Sequence, residues 1–324
     1  MTIAILPVRI LKGFKRFRCY DVTRACLTML TSFKNALVAR RLFDNWLSLM
    51  FRYALIKAGL NVKLEVKIGD CRIEINPGDF ASLVSGYYLG LISSIECVDG
   101  RIFVNYVGWK YDESCNCWLM NNIKFKRMRY EILNVFGEGL YSILDVDGKV
   151  VIDVGAFVGD SAIYFASRGA KKVIAIEPHP GAFREMLDNI KLNNLENVVV
   201  PLKVGLTSKP GKICIENVDI KITAMTYHRS GECDVMVPAI TLADVVSKYG
   251  VNHDAILKMD CEGCEFDVIL NDYEHVRVFK EVVLEYHTSS ELLSKLLKVL
   301  ARDYRCNVER FGKSVGMMYC LRNW

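Results

Sequence analysis

No stretch of this 324-residue chain approaches the roughly 18 uncharged apolar residues that a membrane-spanning helix needs. The best candidate, Leu42 to Leu60, is broken by Asp44, Arg52 and Lys57. Only 7 prolines and 22 glycines are present, which excludes collagen-like and Pro/Gly-rich low-complexity chains. A secretory leader needs its basic residues ahead of its apolar core. Here Ile3-Ala4-Ile5-Leu6 precedes the basic run, so a cytoplasmic location is the expectation. Histidine is scarce too: none of the five sits at ligand spacing from the close pairs Cys115/Cys117 and Cys261/Cys264. No metal centre is therefore expected, and the twelve scattered cysteines are expected to be reduced, buried thiols.

What is abundant is apolar. The chain is 52% hydrophobic and 24% charged, a composition that buries a large core and offsets the entropy of ordering. Length suggests about two domains. The net charge of +5 hides an asymmetry, because residues 1–60 hold eleven Lys/Arg against Asp21 and Asp44. That segment is +9, leaving −4 for residues 61–324. A basic arm on a mildly acidic body points to phosphate, of a lipid headgroup or a nucleic acid, with a solvated helix face as the plainer alternative. Within the arm, Trp46, Leu47, Met50, Phe51, Ala54 and Leu55 recur at helical spacing up to Gly59. Basic charge with an amphipathic helix makes peripheral docking on an anionic membrane face the expectation for residues 1–60.

Residues 61–134 read as a small β-rich module. Val62 to Ile68 and Cys71 to Ile75 alternate apolar and charged residues, and Asp99-Gly100 between Ile95–Val98 and Arg101–Val107 is a two-residue hairpin signal. From residue 135 to 324 the pattern becomes βαβ. Buried-type strands are expected at Lys149–Val154, Val173–Ile176, Val198–Leu202, Ala255–Met259 and Glu281–Glu285, with helices at Asp160–Ser167 and Gly181–Leu192. Thr288-Ser289-Ser290-Glu291 fits a capping box ahead of a leucine-rich helix. Tyr304–Arg310 and Val315–Leu321, flanking Gly312-Lys313, read as an antiparallel hairpin. The fold class is α/β: a parallel sheet with helices on both faces and an antiparallel edge.

The chemistry gathers at strand ends. Asp153-Val154-Gly155-Ala156-Phe157-Val158-Gly159-Asp160 joins a strand to a helix, and its glycines allow a ligand close to the backbone at the carboxyl edge of the sheet. The dinucleotide fingerprint Gly-x-Gly-x-x-Gly is absent, and an acid two residues before Gly155 suits an ammonium group. Glu177, with Pro178 next, ends the following strand, where a carboxylate can accept both hydroxyls of a ribose. An amino-acid end at Asp153 and a ribose at Glu177 describe S-adenosylmethionine.

At these residues the chain resembles a class I methyltransferase with a Rossmann-like sheet. Thr241-Leu242-Ala243-Asp244, Leu257-Lys258-Met259-Asp260-Cys261-Glu262-Gly263-Cys264-Glu265 and Leu284-Glu285-Tyr286-His287 make it similar to the FkbM family, over roughly Val135 to the C-terminus. The resemblance implies transfer of a methyl group from S-adenosylmethionine to a hydroxyl of a sugar, glycan or natural product. It implies cofactor contacts at Asp153, Gly155, Phe157, Gly159, Asp160, Glu177 and Pro178. Two departures stand out: Phe157 replaces the family's usual Asn, and Cys261 and Cys264 replace an aliphatic residue and Ala.

A sugar hydroxyl is a poor nucleophile until a base takes its proton. Asp260 and Glu262, just past the fourth strand, are candidate catalytic bases, and His287, past the fifth, is a third. Nucleic-acid methylation would use the basic arm, but the Pro-Pro-aromatic element of amino-methylating enzymes is missing after the fourth strand, where Asp260-Cys261-Glu262 stands. A non-catalytic binding module is the remaining alternative. The acceptor's identity is not written in the β-module or in Asp219–Val237, the stretches expected to shape its pocket.

Overall fold

The computed structural model describes residues 35–215, 235–311 and 314–323. In the second half of the chain, short runs of Val, Ile and Leu put successive side chains on opposite faces of one sheet. Its strands are Val150–Val154 (β1), Lys172–Ile176 (β2), Val199–Leu202 (β3), Ile256–Met259 (β4), Glu281–His287 (β5), Tyr304–Arg310 (β6) and Val315–Arg322 (β7). Their order is β3-β2-β1-β4-β5-β7-β6, parallel except for the β5–β7 and β7–β6 pairings. Val151, Val173, Ile256 and Val283 face one layer, packed with Phe165, Met186 and Ile190 from helices Asp160–Ser167 (α1) and Pro180–Leu192 (α2). Ile152, Ile174, Leu257 and Val282 face the other, against helices Leu242–Tyr249 (α3), Cys264–Asn271 (α4) and Ser290–Leu300 (α5). Burial of both faces is why these strands read as continuous apolar runs.

The chain groups into two units, Met1–Tyr111 and Asp112–Trp324. Residues 112–134 thus group with the sheet, and long-range bonds explain it. Asn189 on α2 accepts from the Lys126 N–H at 3.0 Å, Asn193 accepts from the Lys124 N–H at 2.8 Å, and Arg129 forks onto Glu185 at 2.9 and 2.7 Å.

In the first unit, Leu64–Ile68 pairs with Cys71–Ile75, and Ile92–Val98 with Arg101–Tyr106. Asp99 and Gly100 both have positive φ, 49° and 72°, as the expected hairpin turn requires. Alternation did not reveal the helix Pro77–Tyr88, although Asn76 caps it by accepting from the Asp79 N–H and Pro77 opens it. The helix Trp46–Lys57 ends at Gly59, φ 90°, as read. Its buried residue is Leu49, while Leu47 and Phe51 are 67% and 66% exposed.

Two expectations are corrected. The nine described cysteines are all disulfide-bonded, including Cys71–Cys97, Cys115–Cys117, Cys261–Cys264 and Cys306–Cys320. Spacing could not show this, because Cys306 and Cys320 become opposite partners only through β6–β7 pairing. The N-cap of α5 is Ser289, one residue past the Thr288 of the expected box, and among the described residues its side chain makes no capping bond. The capping box forms on α3 instead: the Asp244 N–H donates to the Thr241 hydroxyl at 3.1 Å, and the Thr241 N–H to Asp244 at 2.9 Å. Residues 219–234, Gly312 and Lys313 lie outside the described residues. Among the described residues no helix is long and apolar enough to cross a membrane.

Candidate active site

The carboxyl ends of β1, β2 and β4 meet at the Gly155 turn. Gly155 has φ 75°, and a Cβ there would stand 1.7 Å from the Asp260 carbonyl oxygen, so the turn after β1 and the end of β4 touch through a position that only glycine fits. Gly159, φ 86°, precedes α1 and packs on Met186. Phe157 adopts φ 45°, a left-handed conformation that Asn tolerates better than an aromatic residue. Its ring lies 5.4 Å from the Arg129 guanidinium. That conformation gives a backbone reason for the family's usual Asn here.

A cleft opens at this edge, with both polar and apolar groups in its lining. Gly155, Phe157, Asp160, Glu177, Pro178, Asp260 and Glu262 line it, whereas Asp153, Gly159 and His287, also expected at the site, do not. Glu177 is fixed by the Phe157 N–H at 2.9 Å and the His179 N–H at 2.7 Å, one on each oxygen. Each oxygen keeps a second lone pair for a ligand hydroxyl. Burial pushes Glu177 up to about 7, against the pull of those two N–H groups. Asp160 is also raised to about 7 by burial, with Lys258 opposing; it is 6% exposed, and its Oδ1 has no hydrogen-bond partner among the described residues.

Asp153, expected to meet a ligand's ammonium group, faces the ammonium of Lys258. It is fully buried and bound to Lys258 Nζ at 2.9 Å and the Ser161 hydroxyl at 2.7 Å. Lys258 also donates to the Gly155 carbonyl at 2.8 Å and lines the cleft. Burial disfavours its charge, but Asp153 and Asp260 outweigh that and hold it protonated. Sequence reasoning passed over Lys258 as a site residue, although it opens the Lys-Met-Asp-Cys-Glu-Gly element. Its partners lie about a hundred residues earlier in the chain. Glu285, likewise missed, lines the cleft as well.

Asp260, Glu262 and His287 do come together, each offering a donor atom within 4.8 Å of the others. His287 Nδ1 lies 3.4 Å from Glu262 Oε2, and its Nε2 lies 3.4 Å from Glu285 Oε1. Glu285, then Glu262 and Asp260, hold the imidazole up to about 9 despite burial. Burial and the neighbouring carboxylates push Asp260 well above the usual range, Lys258 opposing, and burial raises Glu262. Glu265 stays apart, because the Cys261 and Gly263 N–H groups occupy its two oxygens at 2.7 and 2.8 Å.

A parallel sheet with an antiparallel edge, a glycine turn after β1, an acid after β2 and an acid cluster after β4 define the Rossmann-like class I methyltransferase fold, whose cofactor is S-adenosylmethionine. Residues 153–306 match the methyltransferase FkbM domain. The chain is 28% identical over 141 residues to the hexuronic acid methyltransferase AglP of Haloferax volcanii, covering 44% of this chain and 57% of AglP. It therefore spans little more than half the length of that relative. It is 24% identical over 185 residues to the methyltransferase sdnD of Sordaria araneosa, covering 47% of this chain and 71% of that one. Among solved structures, precorrin-6y C5,15-methyltransferase from Geobacter metallireducens GS-15 aligns with 58% of this chain and 87% of its own, at 15% identity and a TM-score of 0.36.

Proposed function

We propose that the second unit methylates a hydroxyl of a sugar, glycan or related small molecule. The observation that carries this reading is the convergence of Asp260, Glu262, Glu285 and His287 on the edge that also holds the Gly155 turn and Glu177. The cleft suits S-adenosylmethionine: Asp160 Oδ1 is a buried acceptor awaiting a donor, and Glu177 has lone pairs to spare. In this reading Asp160 takes the ammonium group, Glu177 takes the ribose hydroxyls, and Pro178, Leu206 and Ile213 form an apolar wall. When bound, the cofactor supplies an electrophilic methyl group on a sulfonium sulfur. The cluster after β4 and β5 orients the acceptor hydroxyl and takes its proton as the oxygen–carbon bond forms and the carbon–sulfur pair returns to sulfur. Similarity to a hexuronic acid methyltransferase supports a sugar acceptor.

Calorimetry with S-adenosylmethionine, paired with labelled-methyl transfer to uronic-acid glycans and to RNA, tests the reading. Glu262→Gln should keep cofactor affinity while turnover falls by roughly 10²–10⁴. Transfer to RNA alone would replace a sugar acceptor with a nucleic acid.

A contact with an anionic membrane face is a second proposal, for the first unit. It is supported by Leu47 and Phe51, one helical turn apart and 67% and 66% exposed, in a unit that also keeps Arg40 and Arg41 at the surface.

A further inference from the structure

We propose that Asp260, Glu262 and His287 bind one divalent cation of the magnesium or manganese type, which receives a pair of neighbouring oxygens from the acceptor. The proposal rests on reading the cleft as a methyl-transfer site, and it gives that site's acceptor end a defined chemistry. The three donor atoms lie within 4.8 Å of one another, brought together by the adjacent ends of β4 and β5. Donors bound at about 2.1 Å stand roughly 3.0 Å apart when cis and roughly 4.2 Å apart when trans, so the three side chains would draw together around the ion.

The histidine supplies an independent observation. Its Nδ1 is buried, has no hydrogen-bond partner among the described residues, and faces Glu262. On the opposite side of the ring, Glu285 sits against Nε2. A metal-bound histidine characteristically gives its other N–H to a carboxylate, which fixes the tautomer and leaves the first nitrogen's lone pair for the ion. Glu285 is therefore a positioning residue.

Charge points the same way. Asp260, Glu262 and Glu285 all line the cleft, and Lys258, which lines it too, is engaged by Asp153 and the Gly155 carbonyl. Two carboxylates and one imidazole suit a hard or borderline ion, and Cys261 and Cys264 are joined to each other rather than free to ligate. Three protein donors leave about three positions of an octahedral shell open. A vicinal diol, or a hydroxyl beside a carboxylate, would fill two of these, and the ion would lower the pKa of the coordinated hydroxyl.

The test uses the full chain without acceptor. Manganese titration followed by electron paramagnetic resonance should show one bound ion per chain, with nitrogen hyperfine coupling in the bound signal. Glu262→Gln and His287→Gln should each weaken binding at least about tenfold, His287→Gln should abolish the nitrogen coupling, and Glu285→Gln should weaken binding roughly 10–100-fold. S-adenosylhomocysteine affinity, measured by calorimetry on the same samples, should be unchanged and reports that each variant is folded. Wild-type protein that takes up no manganese, or bound manganese without nitrogen coupling, would overturn the cation site. Failure of the wild type to bind S-adenosylhomocysteine would count against the methyltransferase reading and leave the manganese result to stand by itself.

Discussion

Asp153 shows how burial changes a residue's role. The sequence presents it as a ligand contact, whereas the structure seals it against Lys258, two opposite charges 0% and 2% exposed. Removing one member of a buried pair strands the other, at a cost of about 3–5 kcal/mol. Asp153→Ala should therefore lower stability by that order in urea denaturation, with any loss of cofactor affinity following from it. A fully stable variant would show that Lys258 is compensated elsewhere.

Asp160 and Glu177 make a pH prediction at the same scale. Both are raised to about 7 by burial in the cofactor-free protein. A carboxylate whose folded value lies above its unfolded one keeps a proton that the unfolded chain has released. Stability should thus fall as pH rises from about 4 to about 7, then level off. Affinity for the cofactor's ammonium should move the other way, tightening as Asp160 ionises, and Asp160→Asn should flatten that dependence. Melting curves and calorimetry between about pH 5 and 8 would check both signs.

Two helix starts that look alike in sequence separate at the scale of elements. Thr241 makes a complete capping box with Asp244, but Ser289, ahead of α5, makes no side-chain capping bond among the described residues. Thr241→Ala should cost about 1 kcal/mol and Ser289→Ala only a few tenths, measured by chemical denaturation. Equal losses would mean that the α5 cap forms in solution.

At the scale of the whole molecule, pairing of all nine described cysteines bears on redox environment, since disulfides persist in oxidising compartments or in intracellular proteins of hyperthermophiles. Cys71–Cys97, 26 residues apart, should contribute about 3–4 kcal/mol by loop-closure entropy, far more than Cys115–Cys117, two apart. The double variant Cys71→Ala/Cys97→Ala should melt well below wild type under non-reducing conditions, and near-identical melting would refute the link. The membrane proposal is checked by co-sedimentation with anionic vesicles. Binding should weaken with salt and drop in Leu47→Glu and Phe51→Glu, and vesicles that capture neither wild type nor variant at low salt would dismiss it.

Local pattern determined a large part of this protein. Strands β1 to β5 are apolar runs because both their faces are buried, so their composition alone marks them, and Gly155, Asp160, Glu177, Asp260 and Glu262 follow as strand-end residues. The hairpin at Asp99-Gly100 was legible for an equally local reason, the positive φ of both turn residues. Tertiary structure decided whatever depends on partners distant in sequence. It sealed Asp153 with Lys258, joined Cys306 to Cys320, tied residues 124–129 to α2, and set His287 between Glu262 and Glu285. Composition and spacing are sums over near neighbours, whereas charge pairing and burial are settled only when strands more than a hundred residues apart lie side by side.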